Sequence, residues 1–171
     1  MMRKIAGLIL SALAAAVAGC SSSECYDNHS ALPLASFYSS VGNRPVNIQG
    51  LEIYGIDAPN DSILYTAQSL GQAYLPFRLW QDSTQYVFVY TTLAGPGMED
   101  APAKDLPSDT VTFRYHPQEW FVSPACGAMY FYDMKNVSHS SLLIDSISCD
   151  EVITNKNAAN IRIFFKEEID D

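Results

Sequence analysis

Asp109-Thr110-Val111-Thr112-Phe113-Arg114-Tyr115-His116 alternates without a fault. Val111, Phe113 and Tyr115 fall on one parity, and Thr110, Thr112, Arg114 and His116 on the other. A period of two marks a strand with one face on a core and one in water. Upstream, Thr84 to Thr92 carries Tyr86, Phe88 and Tyr90 on one face and Val87 and Val89 on the other. Apolar character on both faces suits a central strand.

Outward from these two strands the same grammar repeats. Ser36 to Ser40 and Ser62 to Thr66 read as short strands, and Asn43-Arg44-Pro45 and Ala58-Pro59-Asn60-Asp61 as turns. Val46 to Ile56 alternates but changes phase at Gln49-Gly50, which predicts a β-bulge. Ala73 to Trp80 alternates Leu75, Phe77 and Leu79 against Pro76, Arg78 and Trp80; the proline predicts an edge strand or a bulge. Ala94 to Ser108, rich in Gly, Pro and acid, is the one long surface loop. Gln118 to Val122 reads as a short strand ended by Ser123-Pro124, and Cys126 to Met134, Leu142 to Ser148 and Ala159 to Lys166 complete the set. No helical period follows residue 20. About nine short, mostly antiparallel strands predict an all-β fold, an immunoglobulin-like β-sandwich over residues 34–171.

The N-terminus is of a different kind. Arg3 and Lys4 precede the apolar run Ile5 to Ala18, which leads through Val17-Ala18-Gly19 into Cys20. The run is shorter than the roughly 20 residues of a spanning helix, and its flanks are those of a secretory signal. Small residues leading directly into a cysteine resemble the bacterial lipobox, in which the thiol is acylated and the chain is cut just before it. Residues 1–19 are therefore expected to be a removed signal peptide, and Cys20 the lipidation site. Residues 20–33 form the lipidated N-terminus and linker, with Ser21-Ser22-Ser23 a flexible spacer. The expected location is the cell envelope, anchored to a membrane. By analogy with known sorting rules, Ser after the cysteine points to the outer membrane, with the leaflet open.

The whole chain carries 10 basic and 19 acidic residues. Loss of Arg3 and Lys4 leaves eight against 19, a net of −11. That balance argues against nucleic acid or an anionic membrane surface as partner. With Cys20 acylated, Cys25, Cys126 and Cys149 remain in an oxidising compartment, so at most one intramolecular bridge forms. Spacing does not choose among the three pairings. No C-x-x-C is present to suggest a redox centre or zinc knuckle.

The order of motifs resembles a family of uncharacterised Bacteroides-type lipoproteins, defined as a domain of unknown function. The lipobox is followed by Pro33 with Phe37-Tyr38, Leu75-Pro76-Phe77, Asp82-Ser83-Thr84 with Tyr86 and Phe88, Ser123-Pro124 with Cys126-Gly127, and Asn160-Ile161 with Ile163-Phe164-Phe165. The resemblance implies no activity, substrate or catalytic residue. It does imply a pairing, since the shared cysteines match Cys25 and Cys126; the local alternative is Cys126–Cys149.

His29, His116 and His139 are widely separated without ligand spacing, and Cys149 has no histidine near it in sequence. There is no G-x-S-x-G, P-loop or H-E-x-x-H, and no cofactor is expected. Glu99, Asp100, Asp105 and Asp109 could gather around Ca²⁺, but lack EF-hand spacing and read as a solvated acidic loop. Trp80, Trp120 and the tyrosines could line a sugar-binding platform, although core packing accounts for most of them. Asp61-Ser62-Ile63, Asp82-Ser83-Thr84, Asp109-Thr110-Val111 and Asp145-Ser146-Ile147 resemble the Asp-Ser/Thr-apolar acceptor for O-glycosylation in Bacteroides-type envelopes, with Ser62, Ser83, Thr110 and Ser146 as acceptors.

The sequence thus reads as a lipid-anchored cell-envelope protein of unknown molecular activity, with a structural or protein-interaction role and no catalysis. Its expected partners are the membrane, through the lipid on Cys20, and an envelope protein or glycan. The alternative is a carbohydrate- or cation-binding accessory module. The two separate on the folded surface: an accessory module needs an exposed aromatic cluster or converging carboxylates there, whereas a structural role buries the aromatics.

Overall fold

The computed structural model describes residues 31–58, 63–98, 101–123, 127–156 and 158–167. They form a β-sandwich of ten strands. These are β1 (Leu34–Ser39), β2 (Ile48–Gly55), β3 (Ile63–Leu70), β4 (Gln72–Tyr74), β5 (Ser83–Tyr90), β6 (Ser108–Ser123), β7 (Gly127–His139), β8 (Ile144–Cys149), β9 (Val152–Ile153) and β10 (Ile161–Phe165). One sheet has the order β4-β1-β10-β8, the other β3-β2-β5-β6-β7-β9. Strands β1 and β10 run parallel, with Phe37 opposite Ile163; every other pairing described is antiparallel. Among the described residues no helix is long and apolar enough to cross a membrane.

The alternating residues meet between the sheets. Val111, Phe113 and Tyr115 of β6 are buried, with Tyr86, Phe88 and Tyr90 of β5 beside them. From the other sheet come Phe37, Ile163 and Phe165. The Phe37 ring stands edge-on to Phe88 at 6.4 Å and to Phe165 at 5.4 Å. Full burial of such a side chain contributes about 1.5–3 kcal/mol. Strand β5 lies between β2 and β6 and is buried on both faces near its end, as its sequence predicts.

The phase slip in β2 is a bulge: its register against β3 shifts between Ile48 and Leu51. Gly50 sits there at φ 60, and an added Cβ would meet Thr91 Oγ1 at 2.5 Å.

Three sequence expectations are corrected. The strands are not uniformly short, since β6 runs 16 residues and β7 13. The predicted separate strand at Gln118 is the outer half of β6, which passes through Pro117. Proline is tolerated there for a geometric reason. The amide of Tyr115 reaches toward the β5 side, donating to the Asp82 carbonyl at 2.9 Å. By the period of two, residue 117 points the same way, but β5 pairing has already ended at Ser83 opposite Arg114. No ladder bond is lost.

Ala73 to Trp80 is the second correction. Only β4 is a strand, at the edge of its sheet, and 75–78 is an extended strap held by tyrosine side chains. The Tyr86 hydroxyl donates to the Pro76 carbonyl. Tyr132 Oη donates to the Phe77 carbonyl at 3.2 Å, and Tyr115 Oη takes the Arg78 amide at 2.8 Å. Phe77 lies flat on Tyr115, ring centroids 4.4 Å apart. Leu75 and Phe77 are buried, so the alternation predicted burial correctly but not the partner of the backbone.

Asp109 is the third. Instead of joining a solvated acidic loop it is wholly buried. Its Oδ1 accepts from Ser140 Oγ and the Leu142 amide, each at 2.7 Å. Its Oδ2 accepts from the Leu143 and Ile144 amides at 2.8 and 3.0 Å and from Tyr90 Oη at 2.8 Å. Asp109 belongs to the six-stranded sheet, whereas Leu142 to Ile144 lead into β8 of the other. The carboxylate therefore ties the two sheets together at one end.

Candidate functional site

Seven of the candidate residues fall outside the described residues: Cys20, Cys25, Cys126, Ser62, His29, Glu99 and Asp100. Cys149 is a half-buried free thiol, pushed up to about 11 by burial and by the neighbouring Asp150. Little of it is thiolate near neutrality. Among the acceptor residues, Ser83 and Thr110 are half-buried within strands and Ser146 is exposed on β8. The Asp109 that precedes Thr110 is enclosed, so that Asp-Thr pair is not presented at the surface.

The acidic residues do not converge. Asp105 is exposed on a short 3₁₀ turn, while Asp109 has both oxygens occupied within the fold. Burial pushes the Asp109 carboxyl up, but its hydrogen bonds from Ser140 and the three amides outweigh this and hold it below the usual range. Its partner Tyr90 is driven well above the ordinary phenol, by burial and then by the adjacent carboxylate. No group of three or more His, Cys, Asp or Glu suited to a metal is found among the described residues.

The aromatics divide sharply. Tyr90, Tyr115 and Tyr132 are enclosed. Trp80, Trp120 and Phe121 are 86%, 61% and 66% exposed. Trp80 follows the tyrosine-pinned strap, whose anchoring at Phe77 and Arg78 leaves the next turn to project. Its ring meets Tyr130 of β7 at 6.3 Å in an edge-on geometry. Between this turn and the outer half of β6 lies an open groove of about 680 Å³. Trp80 and Tyr130 supply its aromatic surface, and Asp82, Ser83, His116 and Glu119 its polar groups. Glu119 and Tyr130 are cross-strand partners and share a face.

Sequence reasoning singled out Trp80 and placed His116 in solvent, where it is, but did not bring the two together. The groove exists because the β6–β7 hairpin outruns β5, and that length was hidden by Pro117.

The chain belongs to a family of unknown function, DUF6452, whose profile matches residues 50–165. The match spans the groove, the hairpin and Asp109. No curated protein and no solved structure matches the chain.

Proposed function

We propose that this is a lipid-anchored protein of the cell envelope, carried in the outer membrane on Cys20, whose sandwich binds a saccharide in the Trp80–Tyr130 groove and performs no catalysis. The anchor rests on the sequence Val17-Ala18-Gly19-Cys20 and the signal-like run before it. Several acyl chains give lasting attachment where one is marginal.

The binding reading is carried by the exposure of Trp80 beside a polar rim. Burying an indole is favourable, so a ring left in water at the mouth of a groove is available to a ligand. A sugar offers C–H faces to the ring and hydroxyls to Asp82, Ser83, His116 and Glu119. The acidic net charge disfavours nucleic acid in the same place. Asp109, the enclosed carboxylate, is fully engaged by amides and hydroxyls that hold two sheets together, a structural use.

The test is fluorescence titration of the Trp120→Phe variant, which leaves Trp80 as the sole indole, against neutral and acidic envelope and host polysaccharides. A saturable change in emission that is lost in Trp80→Ala, measured with Trp120 present, is expected. A flat response across the panel contradicts the reading. Glycosylation at Ser62, Ser83 or Ser146 is a separate proposal, resting on the acceptor pattern; the enclosed Asp109 removes Thr110 from it. An intact mass with no excess over polypeptide plus lipid removes it.

A further inference from the structure

Beyond Arg114 strand β6 has left its β5 partner, and the β9 pairing reaches only Tyr132 and Asp133 of β7. From Gln118 to Phe121, therefore, β6 pairs with β7 alone. A two-stranded ribbon is marginal in water unless something covers it. This one carries large apolar groups outward. Trp120 and Phe121 are adjacent, so they point to opposite faces, and both are exposed. Trp120 leans on Phe131 at 6.4 Å.

The charge pattern separates the same region from the rest. Between Pro117 and Phe131 the sequence holds one charged residue, Glu119, in a chain of net charge −9. The N-terminal chain also arrives here: the Ala31 amide donates to the Tyr130 carbonyl at 2.8 Å. Cys20 is 11 residues before Ala31. Even fully extended, that tether spans no more than about 40 Å. The point at which the tether joins the fold is thus on the aromatic ribbon itself.

We infer that the outer end of the β6–β7 hairpin, through Trp120 and Phe121, enters the interface of the bilayer to which Cys20 is anchored, a second and non-covalent membrane contact. This rests on the acylation proposed above. Indole rings favour the headgroup level of a bilayer, and a nearly uncharged ribbon avoids the cost that an acidic surface would meet there. The contact fixes the orientation of the sandwich, with the Trp80 groove above the surface.

The chain has two tryptophans, which makes the test direct. The full-length protein is purified from membranes and reconstituted into phosphatidylcholine–phosphatidylethanolamine vesicles with brominated acyl chains. Trp80→Phe reports Trp120 alone, and Trp120→Phe reports Trp80 alone; both rings are exposed, so neither change disturbs the core. Strong quenching and a blue shift are expected for Trp120, with at least two-fold weaker quenching for Trp80. Equal quenching of the two, no quenching of Trp120, or a blue-shifted Trp120 already present without lipid in a self-associated species overturns the inference. The intact mass of the same preparation reports the acyl chains on Cys20. An unacylated chain sinks the anchor and this inference with it, whereas an acylated chain with unquenched Trp120 sinks the inference alone.

Discussion

The two halves of the β6–β7 hairpin are continuous in backbone and opposite in chemistry. At its base, Asp109 to Tyr115 is flanked by β5 and β7, its inward side chains are enclosed, and its one inward charge accepts five hydrogen bonds. At its outer end the same strand has one neighbour, and Trp120 and Phe121 face water. Polar chemistry hidden at the base and apolar chemistry shown at the tip invert the usual arrangement. The base is built for stability, and the exposed tip is the part proposed to make contact.

The comparison breaks most severely at Asp109. Asp109→Ala leaves three amides and two hydroxyls facing an empty site, and chemical denaturation should show a loss of about 3–5 kcal/mol, the range for breaking a buried charged network. Asp109→Asn should rescue little, because its NH₂ would oppose N–H donors. The same carboxylate sets an acid limit. Its folded pKa is lowered, so its contribution is complete above the unfolded value of about 4 and is lost as pH falls through the lower folded value. Denaturant midpoints should fall below about pH 4 in the native protein, and this fall should be smaller in Asp109→Ala.

At the alkaline end the sign reverses. Burial raises Tyr86, Tyr90, Tyr115 and Tyr132, the last to about 12. Their contribution is complete below about pH 10 and is lost as pH rises through the folded values. Absorbance at the phenolate band should show tyrosines that ionise only with unfolding. Tyr115→Phe, which removes the hydroxyl between Thr84 and the Arg78 backbone, should cost about 1 kcal/mol. Trp120→Ser should change stability by less than about 0.5 kcal/mol, as expected of an exposed position. A large loss there would make the tip part of the core and collapse the contrast.

Much of the base is legible in the sequence, the burial of Asp109 included. Positions 109, 111, 113 and 115 share one parity, so the alternation that places Val111, Phe113 and Tyr115 inward places Asp109 inward as well. Composition groups Asp109 with the acidic loop before it and so masks that parity. The bulge at Gly50 and the central β5 were visible because phase and two-faced apolarity are local properties. The strap at 75–78 was not: its backbone partners are the hydroxyls of Tyr86, Tyr115 and Tyr132, up to 55 residues away. The groove was illegible for the same reason, since it depends on where β5 stops relative to β6. Trp80 and Trp120 stood out as candidates, but no sequence period distinguishes an exposed indole from a buried one at a strand end.

The chain is proposed to be held to a membrane at Cys20, by a tether that joins the fold where the Ala31 amide meets the Tyr130 carbonyl. A non-reduced peptide map of the native protein by mass spectrometry tests it most directly. The predicted result is a mature N-terminus at an acylated Cys20, a bridge between Cys25 and Cys126, and Cys149 alkylated only after unfolding. An unacylated Cys20, or a bridge joining Cys126 to Cys149, would contradict it.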